Sequence, residues 1–450
     1  MKLRIEKAIY GGSGLARIPK SEGALADKAI FVPLTLPNEL VEAHAVADKR
    51  SFLEGALDAV LEASPGRIAP GCPYFPTCGG CQYQHANYAT QAEMKLEILR
   101  ETLTRAHIAA PERIALLAGE PWGYRNRIRL HVRYRPQFEL CYREGGSNRD
   151  LPVEQCPIAA PLLQRALRVL EEAALQLPSG LLEQAEFFCD GGQTALMVSL
   201  WAGGGGAAAT AAAWLPTLAA AVMATLPECR GMALFASEQG GHRQRGRGGK
   251  QVRGALLASD GDTTLRCAVG DLSFQVSAGS FFQINRFLLP EMLQLVTGGR
   301  RGKLAWDLYA GVGLFARALG SSFAQIVAVE GSPSSSHDLR RNLAGVRHHI
   351  AASSTLQFLQ AETRHKTFGR PALVPELIVV DPPRAGLGQP VCELLAHVKA
   401  REIVYVSCDP ATLARDLQAL LLSGYRLERL TLVDLFPQTF HLETVAVLVR

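Results

Sequence analysis

From about Phe281 to the C-terminus, short apolar runs alternate with helical stretches: "KLAWDLYA", "QIVAVEG", "ELIVVDPP", "EIVYVSC" and finally "TVAVLV". Each run is brief and rich in β-branched and aromatic residues, the composition of a buried strand. Such strands separated by helices specify a doubly wound α/β domain, in which helices cover both faces of the sheet. Ligands of an open α/β sheet collect outside the carboxyl ends of its strands. Residues at those ends are therefore the first candidates for chemistry.

"DLYAGVGLFA" places Gly311 and Gly313 directly after one strand. Alone, a Gly-x-Gly is equally an ordinary strand-to-helix turn, and a dinucleotide fingerprint needs a third glycine. The next strand, however, ends in Glu330, nineteen residues after Gly311. A carboxylate there can accept hydrogen bonds from both ribose hydroxyls of a nucleoside. A nucleoside site without phosphate-binding glycines suits S-adenosylmethionine, whose sulfonium tail carries no phosphate. "IVVDPPRAGLG" sets Asp381 at another strand end. The two prolines stiffen its loop by fixing φ and withdrawing donors, and such a loop can hold a flipped base beside a methyl donor.

"VSCDPATLARD" puts Cys408 where a strand runs into a helix. A lone cysteine in an apolar strand is usually a small core residue. Here Asp409 suits the N-cap, Pro410 the first helical position and Gly424 the stop. The helix N-terminus favours a thiolate. "FPQTFHLETVAVLV" adds His441 and Glu443, on one face by the two-residue strand period. These groups suit one reaction. Carbon 5 of uracil becomes nucleophilic once a thiolate has added to carbon 6, and can then attack a sulfonium methyl. A base must remove the carbon 5 hydrogen before the cysteine leaves. The expected roles are nucleophile for Cys408, base for Glu443, and orientation of the uracil edge for Asp381.

The front half reads differently. At 450 residues the chain should hold about two to four domains. Residues 1–62 alternate short apolar runs with turns at Gly11-Gly12, Gly14 and Pro37-Asn38, the pattern of a small β-barrel. A helical run follows from Tyr88 to about Ala106. Residues 63–276 form a mixed α+β central region and 277–450 the α/β domain. Segments 202–213 and 238–250 are low in complexity and read as mobile surface.

Ten cysteines spread over this length are too sparse for a disulfide framework. Cys72, Cys78 and Cys81 are the exception, a C-x5-C-x2-C group that Gly79 and Gly80 allow to fold tightly. Cys156 is the expected fourth ligand and Cys141 its competitor. By number alone, four thiolates suit zinc and a [4Fe–4S] cluster equally. In "GYRNRIRLHVRYR" the strand period puts Arg125, Arg127, Arg129, His131, Arg133 and Arg135 on one face. Same-face neighbours are about 7 Å apart, near the phosphate spacing of a nucleic-acid strand. RNA contact is expected there. The net charge of +5 permits a nucleic-acid partner without requiring one. No apolar run is read as reaching the roughly 18 residues of a membrane span, and the N-terminus lacks a signal-peptide core. A soluble, cytoplasmic chain with no membrane and no obligatory protein partner is expected.

Taken together, "SFFQIN" (280–285), "DLYAGVGLF", "VVDPPRAGL", "VYVSCDPATLARDL" and "DLFPQTFHLETVAVL" resemble the RNA uracil-5-methyltransferase family, in the family order and at family-like spacing. The resemblance implies a Rossmann-like S-adenosylmethionine-dependent methyltransferase domain. Gln283, Tyr309, Glu330 and Asp381 would form its cofactor site, Cys408 would be the nucleophile and Glu443 the base. "IYGGSGLARI" with "IFVPLTLPNELVEAHAV" is similar to the RNA-binding barrel called TRAM. "CPYFPTCGGCQYQH" with "EQCPI" is similar to the family's iron–sulfur segment, so the likeness selects [4Fe–4S] over zinc. It also implies 23S ribosomal RNA as substrate, with tRNA as the alternative. A non-catalytic iron–sulfur RNA-binding protein is the rival from another class. Asp409 departs from the family's usual Asn, and Leu314 from a position that is often polar.

Overall fold

The computed structural model describes residues 1–134, 136–204, 206–237, 254–367 and 374–450. They pack as two compact units. The first comprises Met1–Pro121, Pro382–Glu393 and Tyr405–Val449, and the second Trp122–Asp381 with Leu394–Val404 and Arg450.

The first unit begins with six strands, β1 (Lys2–Arg4), β2 (Lys7–Ala8), β3 (Ser13–Arg17), β4 (Ala29–Pro33), β5 (Leu40–Asp48) and β6 (Phe52–Glu62). They form one sheet in the order β1-β5-β6-β4-β3-β2. The period-2 pattern turns Leu3, Ile5, Ala16, Ile18, Ile30, Val32, Val41, Ala43 and Leu53 into a common core. The Glu6 N–H donates to Leu15 O (2.8 Å), curling the chain after β1 back onto β3. Both expected turns are present: Gly11 and Gly12 have φ of 105° and 97°, and Asn38 has 69°. Helix α1 (Tyr88–Arg105) follows, its N-cap Asn87 accepting the Thr90 N–H, and then β7 (Ala115–Leu117).

The second unit opens with β8 (Arg127–Tyr134), β9 (Phe138–Arg143), β10 (Asp150–Pro152), α2 (Pro161–Ala173), β11 (Leu182–Cys189), β12 (Leu196–Ala202), α3 (Ala207–Thr225), β13 (Cys229–Phe235) and β14 (Leu256–Gly261). Its sheet order is β10-β9-β8-β11-β12-β13-β14. Two expectations change here. The alanine-rich part of 202–213 begins α3, which buries Ala211, Leu215, Leu218, Ala219 and Val222, because alanine has the highest helix propensity. At 19 residues α3 is also long and apolar enough to cross a membrane by length and composition, contrary to the expectation that no run would be. The segment 238–250 lies outside the described residues.

The arginine ladder is the second change. β8 lies between β9 and β11, and its arginines are engaged within the fold. Arg127 is 8% exposed, stacks on Phe188 (4.0 Å) and donates to Ser280 O (2.7 Å). Arg129 lies over Trp201 (3.7 Å) and Arg133 bonds Glu139 through Nε (2.8 Å). Aromatic faces and carboxylates occupy these guanidinium groups, so the alternation marks internal cation–π packing rather than a free RNA-facing row. Arg135 lies outside the described residues.

The chain continues through β15 (Thr264–Val269), β16 (Leu272–Ser277), α4 (Leu289–Thr297), β17 (Gly302–Leu308), α5 (Leu314–Leu319), β18 (Phe323–Val329), α6 (Pro333–Asn342), β19 (His348–Ala351), α7 (Thr355–Thr367), β20 (Leu377–Val380), α8 (Gln389–Val398), β21 (Glu402–Ser407), α9 (Pro410–Leu422), β22 (Arg426–Val433) and β23 (Glu443–Val449). The sheet order is β19-β18-β17-β20-β21-β23-β22-β7. β17 is parallel to both β18 and β20, and β22 antiparallel to β23. This is the expected α/β architecture.

Candidate active site

In the second unit, the four residues proposed from sequence for the cofactor lie at strand ends and one facing loop. Tyr309 follows β17 with φ of 68°, and Gly311 has φ of 56°. The Gly311 N–H donates to Glu330 Oε2 (2.9 Å), and Ser332 N–H bonds the other oxygen. Glu330 is thus fixed at the end of β18 by the glycine loop itself. Gly313, with φ of 92°, opens α5, and a Cβ there would stand 2.6 Å from Leu339 Cδ1. The backbone conformation favours glycine at 313, and a side chain there would also have to displace the Leu339 methyl. Gln283 Nε2 reaches Asp381 Oδ2 (3.5 Å), and the Gln283 carbonyl accepts from Asn126 Nδ2 (3.4 Å). The structure thus brings together two pairs of the residues singled out from sequence, Gly311 with Glu330 and Gln283 with Asp381.

Sequence reasoning missed Asp307, buried at the end of β17. Its Oδ2 accepts the Ala316 N–H (2.7 Å) and ties α5 to the strand. Burial, with Asp381 and Glu330 nearby, pushes its carboxyl up to about 7, despite that hydrogen bond. Burial raises Asp381 to about 7 as well, partly offset by Gln283. An acid inside the apolar "KLAWDLYA" was the available signal. The sign of the linkage follows: a folded-state value above the unfolded one gives stability present below about pH 4 and lost as pH rises toward 7. Asp307→Asn keeps an acceptor for Ala316 without a titrating charge. Its melting temperature relative to wild type is therefore expected to climb between pH 5 and pH 8. A constant difference in calorimetry across that range would disprove it.

In the first unit, β21 ends at Ser407 and Cys408 is half-exposed. Asp409 is the N-cap as expected, with φ of −142°, its Oδ1 accepting from Ala411 N (3.0 Å) and Thr412 N (2.9 Å). Pro410 begins α9, and Gly424 follows it with φ of 95°. Asp416, on the same helix, collects the Pro-Pro-Arg loop. Its Oδ2 accepts the Leu387 N–H (2.7 Å) and the Tyr405 hydroxyl (2.8 Å). Arg415 Nη2 donates to Ala385 O (2.8 Å). Gly386 has φ of 72°, and a Cβ would meet Asp416 Oδ2 at 2.4 Å. Tyr405 and Asp416 sat within a motif recognised in the sequence, but their roles needed the fold.

Glu443 is 3% exposed and begins β23, opposite Val433. The shared strand face expected for His441 and Glu443 does not exist, because the strand starts only at Glu443 and His441 belongs to the preceding loop. That loop is held from the front of the chain. Gln438 O accepts the Gln82 and Tyr83 N–H groups (both 3.0 Å), and Gln438 N donates to Gln91 Oε1 (2.9 Å). The buried Lys95 Nζ donates to Asp434 Oδ1 (2.6 Å) and Phe436 O (3.0 Å).

Cys72, Cys78 and Cys81 lie just ahead of this brace, half-exposed and in no disulfide. The Gly80 N–H points at Cys78 Sγ (3.5 Å). In the second unit Cys156 is half-exposed, whereas Cys141 is buried in β9 with its thiol pushed up to about 11 by burial. Among the described residues no group of three or more His, Cys, Asp or Glu is gathered closely enough to hold a metal ion.

Parallel strands with a glycine loop bonded to the acid of the next strand define an α/β fold of the nucleoside-binding type, and a half-exposed cysteine stands at the start of α9. The family model described as tRNA (Uracil-5-)-methyltransferase matches residues 255–450. The 23S rRNA (uracil(1939)-C(5))-methyltransferase RlmD of Chromohalobacter salexigens is 31% identical, over 100% of this chain and 89% of the relative. Its namesake in Klebsiella pneumoniae strain 342 is 32% identical over 94% and 91%. An uncharacterized RNA methyltransferase of Aquifex aeolicus is 31% identical over 100% and 98%. Among solved structures, the Pyrococcus abyssi tRNA (uracil-54, C5)-methyltransferase in complex with S-adenosyl-L-homocysteine shares the fold, with a TM-score of 0.72 at 22% identity over 99% of both chains. The chain belongs to the RNA uracil-5-methyltransferase family.

Proposed function

We infer that this protein methylates carbon 5 of a uridine in 23S ribosomal RNA, using S-adenosylmethionine as methyl donor and Cys408 as transient nucleophile. The observation that carries the reading is a half-exposed thiol at the N-terminal end of α9, in the same unit as the buried Glu443 carboxylate. The dipole of α9 favours the thiolate at its N-terminal end, where Asp409 already caps the first-turn amides. Its addition to carbon 6 directs electron density to carbon 5, which takes the methyl group. Glu443 then accepts the carbon 5 proton, the 5,6 double bond re-forms and the thiolate leaves.

S-adenosylmethionine supplies an electrophilic methyl on a sulfonium carrying no phosphate. The donor set suits it. The Glu330 oxygens, already aligned by Gly311 and Ser332, can accept from ribose hydroxyls. We assign Gln283, Tyr309, Glu330 and Asp381 to this site, with Asp381 also orienting the uracil. Ribosomal RNA is preferred because the 31–32% identical relatives carry that substrate in their names. Mapping 5-methyluridine in total RNA from cells with and without the gene tests it. Loss of a 23S position is expected, and loss only from tRNA would overturn the substrate.

We further propose that Cys72, Cys78, Cys81 and Cys156 hold a [4Fe–4S] cluster that braces the fold. The half-exposed thiols and the Gly80 amide aimed at Cys78 Sγ support this reading. Three regions would then share the work in the cytoplasm: a TRAM-like barrel (1–62) and central region (63–276) that grip RNA, and the methyltransferase domain (277–450). Iron and sulfide should each be found near four per chain in anaerobically purified protein. Stoichiometric zinc would refute the cluster.

A further inference from the structure

The N-terminal sheet reaches the turn that carries Cys408. Between β2 and β3 the segment Tyr10-Gly11-Gly12 makes a tight reversal, with Ile9 N–H donating to Ser13 O (2.9 Å). Its inner side is pressed against the C-terminal loop. A Cβ on Gly12 would stand 2.9 Å from Gln82 Cβ and 3.8 Å from Phe440 Cβ. The ring of Tyr10 meets Phe440 edge-on, with centroids 5.4 Å apart at 86°. Phe440 in turn packs on His441 at 4.3 Å. His441 lies 3.3 Å from Arg384 Nη2, and the Arg384 carbonyl accepts the Thr412 hydroxyl of α9 (3.2 Å). The Tyr10 hydroxyl interacts with Asp409, and Arg384 and Cys408 also lie within its electrostatic reach. One side chain of the β2–β3 hairpin thus packs on the loop leading to Glu443 and lies within electrostatic reach of the N-cap beside the thiol.

We propose that Tyr10 is a positioning residue for methyl transfer, bonding the Asp409 cap through its hydroxyl and bracing Phe440 with its ring. This rests on the assignment of Cys408 as nucleophile. Two facts support it beyond proximity. Asp409 already accepts two α9 amides through Oδ1, so a donor that holds the same carboxylate fixes the orientation of the turn bearing Cys408. A tyrosine hydroxyl is a neutral donor at neutral pH, and burial beside the Asp409 carboxylate moves its ionisation further up. The barrel then serves the chemical step as well as any grip on RNA. A misplaced nucleophile lowers the rate of bond formation without changing what the remote surfaces bind.

The test compares wild type, Tyr10→Phe and Tyr10→Ala on transcribed ribosomal RNA fragments, and on the same fragments bearing 5-fluorouridine. Tyr10→Phe keeps the ring and loses the hydroxyl. It should lower kcat and the rate of covalent adduct formation by the same factor, about tenfold, with KM for RNA and for S-adenosylmethionine within about twofold. Tyr10→Ala should lower both rates further, by about a hundredfold in all. Wild-type adduct rates in Tyr10→Phe would overturn the proposal. So would a defect confined to KM for RNA, which would make Tyr10 an RNA contact. Wild type serves as control: if it forms no adduct, the Cys408 assignment fails and the proposal with it, whereas an active wild type beside an unaffected Tyr10→Phe removes the proposal alone.

Discussion

Replacing Cys408 by serine is expected to reduce uridine methylation by at least about 10⁴-fold and to abolish the adduct with 5-fluorouridine RNA. A serine hydroxyl is not ionised at neutral pH, and the helix N-terminus that favours a thiolate cannot lower its pKa far enough. The fold should survive, because Cys408 is only half-buried and the N-cap bonds of Asp409 do not involve its sulfur. Glu443→Gln should behave in the opposite way. Addition and methyl transfer proceed, the carbon 5 proton stays, and a covalent RNA adduct accumulates on a denaturing gel. Cys408→Ser with wild-type turnover would eliminate the covalent route. Glu443→Gln that neither turns over nor accumulates an adduct would remove Glu443 as the base.

The second large effect concerns stability. Lys95 Nζ and Asp434 are both fully buried, 2.6 Å apart, and burial works to lower the lysine's pKa against the pull of Asp434. Removing one partner strands the other charge in the interior, which costs about 3–5 kcal/mol. Lys95→Met should therefore loosen α1 from the Asp434–Phe436 turn and make the segment ahead of Glu443 sensitive to protease. Lys95→Met with Asp434→Leu should recover most of the loss, because an apolar pair of similar volume is often as stable as a buried ion pair. A double variant as protease-sensitive as the single one would show that the pair supplies something other than charge balance. The lysine's bond to Phe436 O is the first place to look.

Where period and end signals agreed, the sequence was legible. The five apolar runs became β17, β18, β20, β21 and β23, and the Asn87–Arg105 and Asp409–Leu422 segments became capped helices. β19 and β22 escaped notice, since "HHIA" and "RLERLTLV" carry polar residues on exposed positions and lack a continuous apolar run. The arginine row misled for a related reason. Alternation says which residues share a face, not what covers it, and Phe188, Trp201 and Glu139 come from other strands.

By itself the sequence determined which groups are available for chemistry and that Tyr309, Glu330, Asp381 and Cys408 stand just past the ends of strands. Strand period, caps and glycines are local signals, set by backbone sterics and by hydrogen bonds between residues close in the chain. Tertiary structure alone decided that Gln438 is held by Gln82 and Gln91, that Asp307 is a buried acid, and that Tyr10 reaches the Asp409 turn. The Gln438 and Tyr10 pairings join residues hundreds of positions apart, and the burial of Asp307 depends on the sheet and helix packed round it. Their energy depends on burial and on the orientation of partners, which no local pattern encodes.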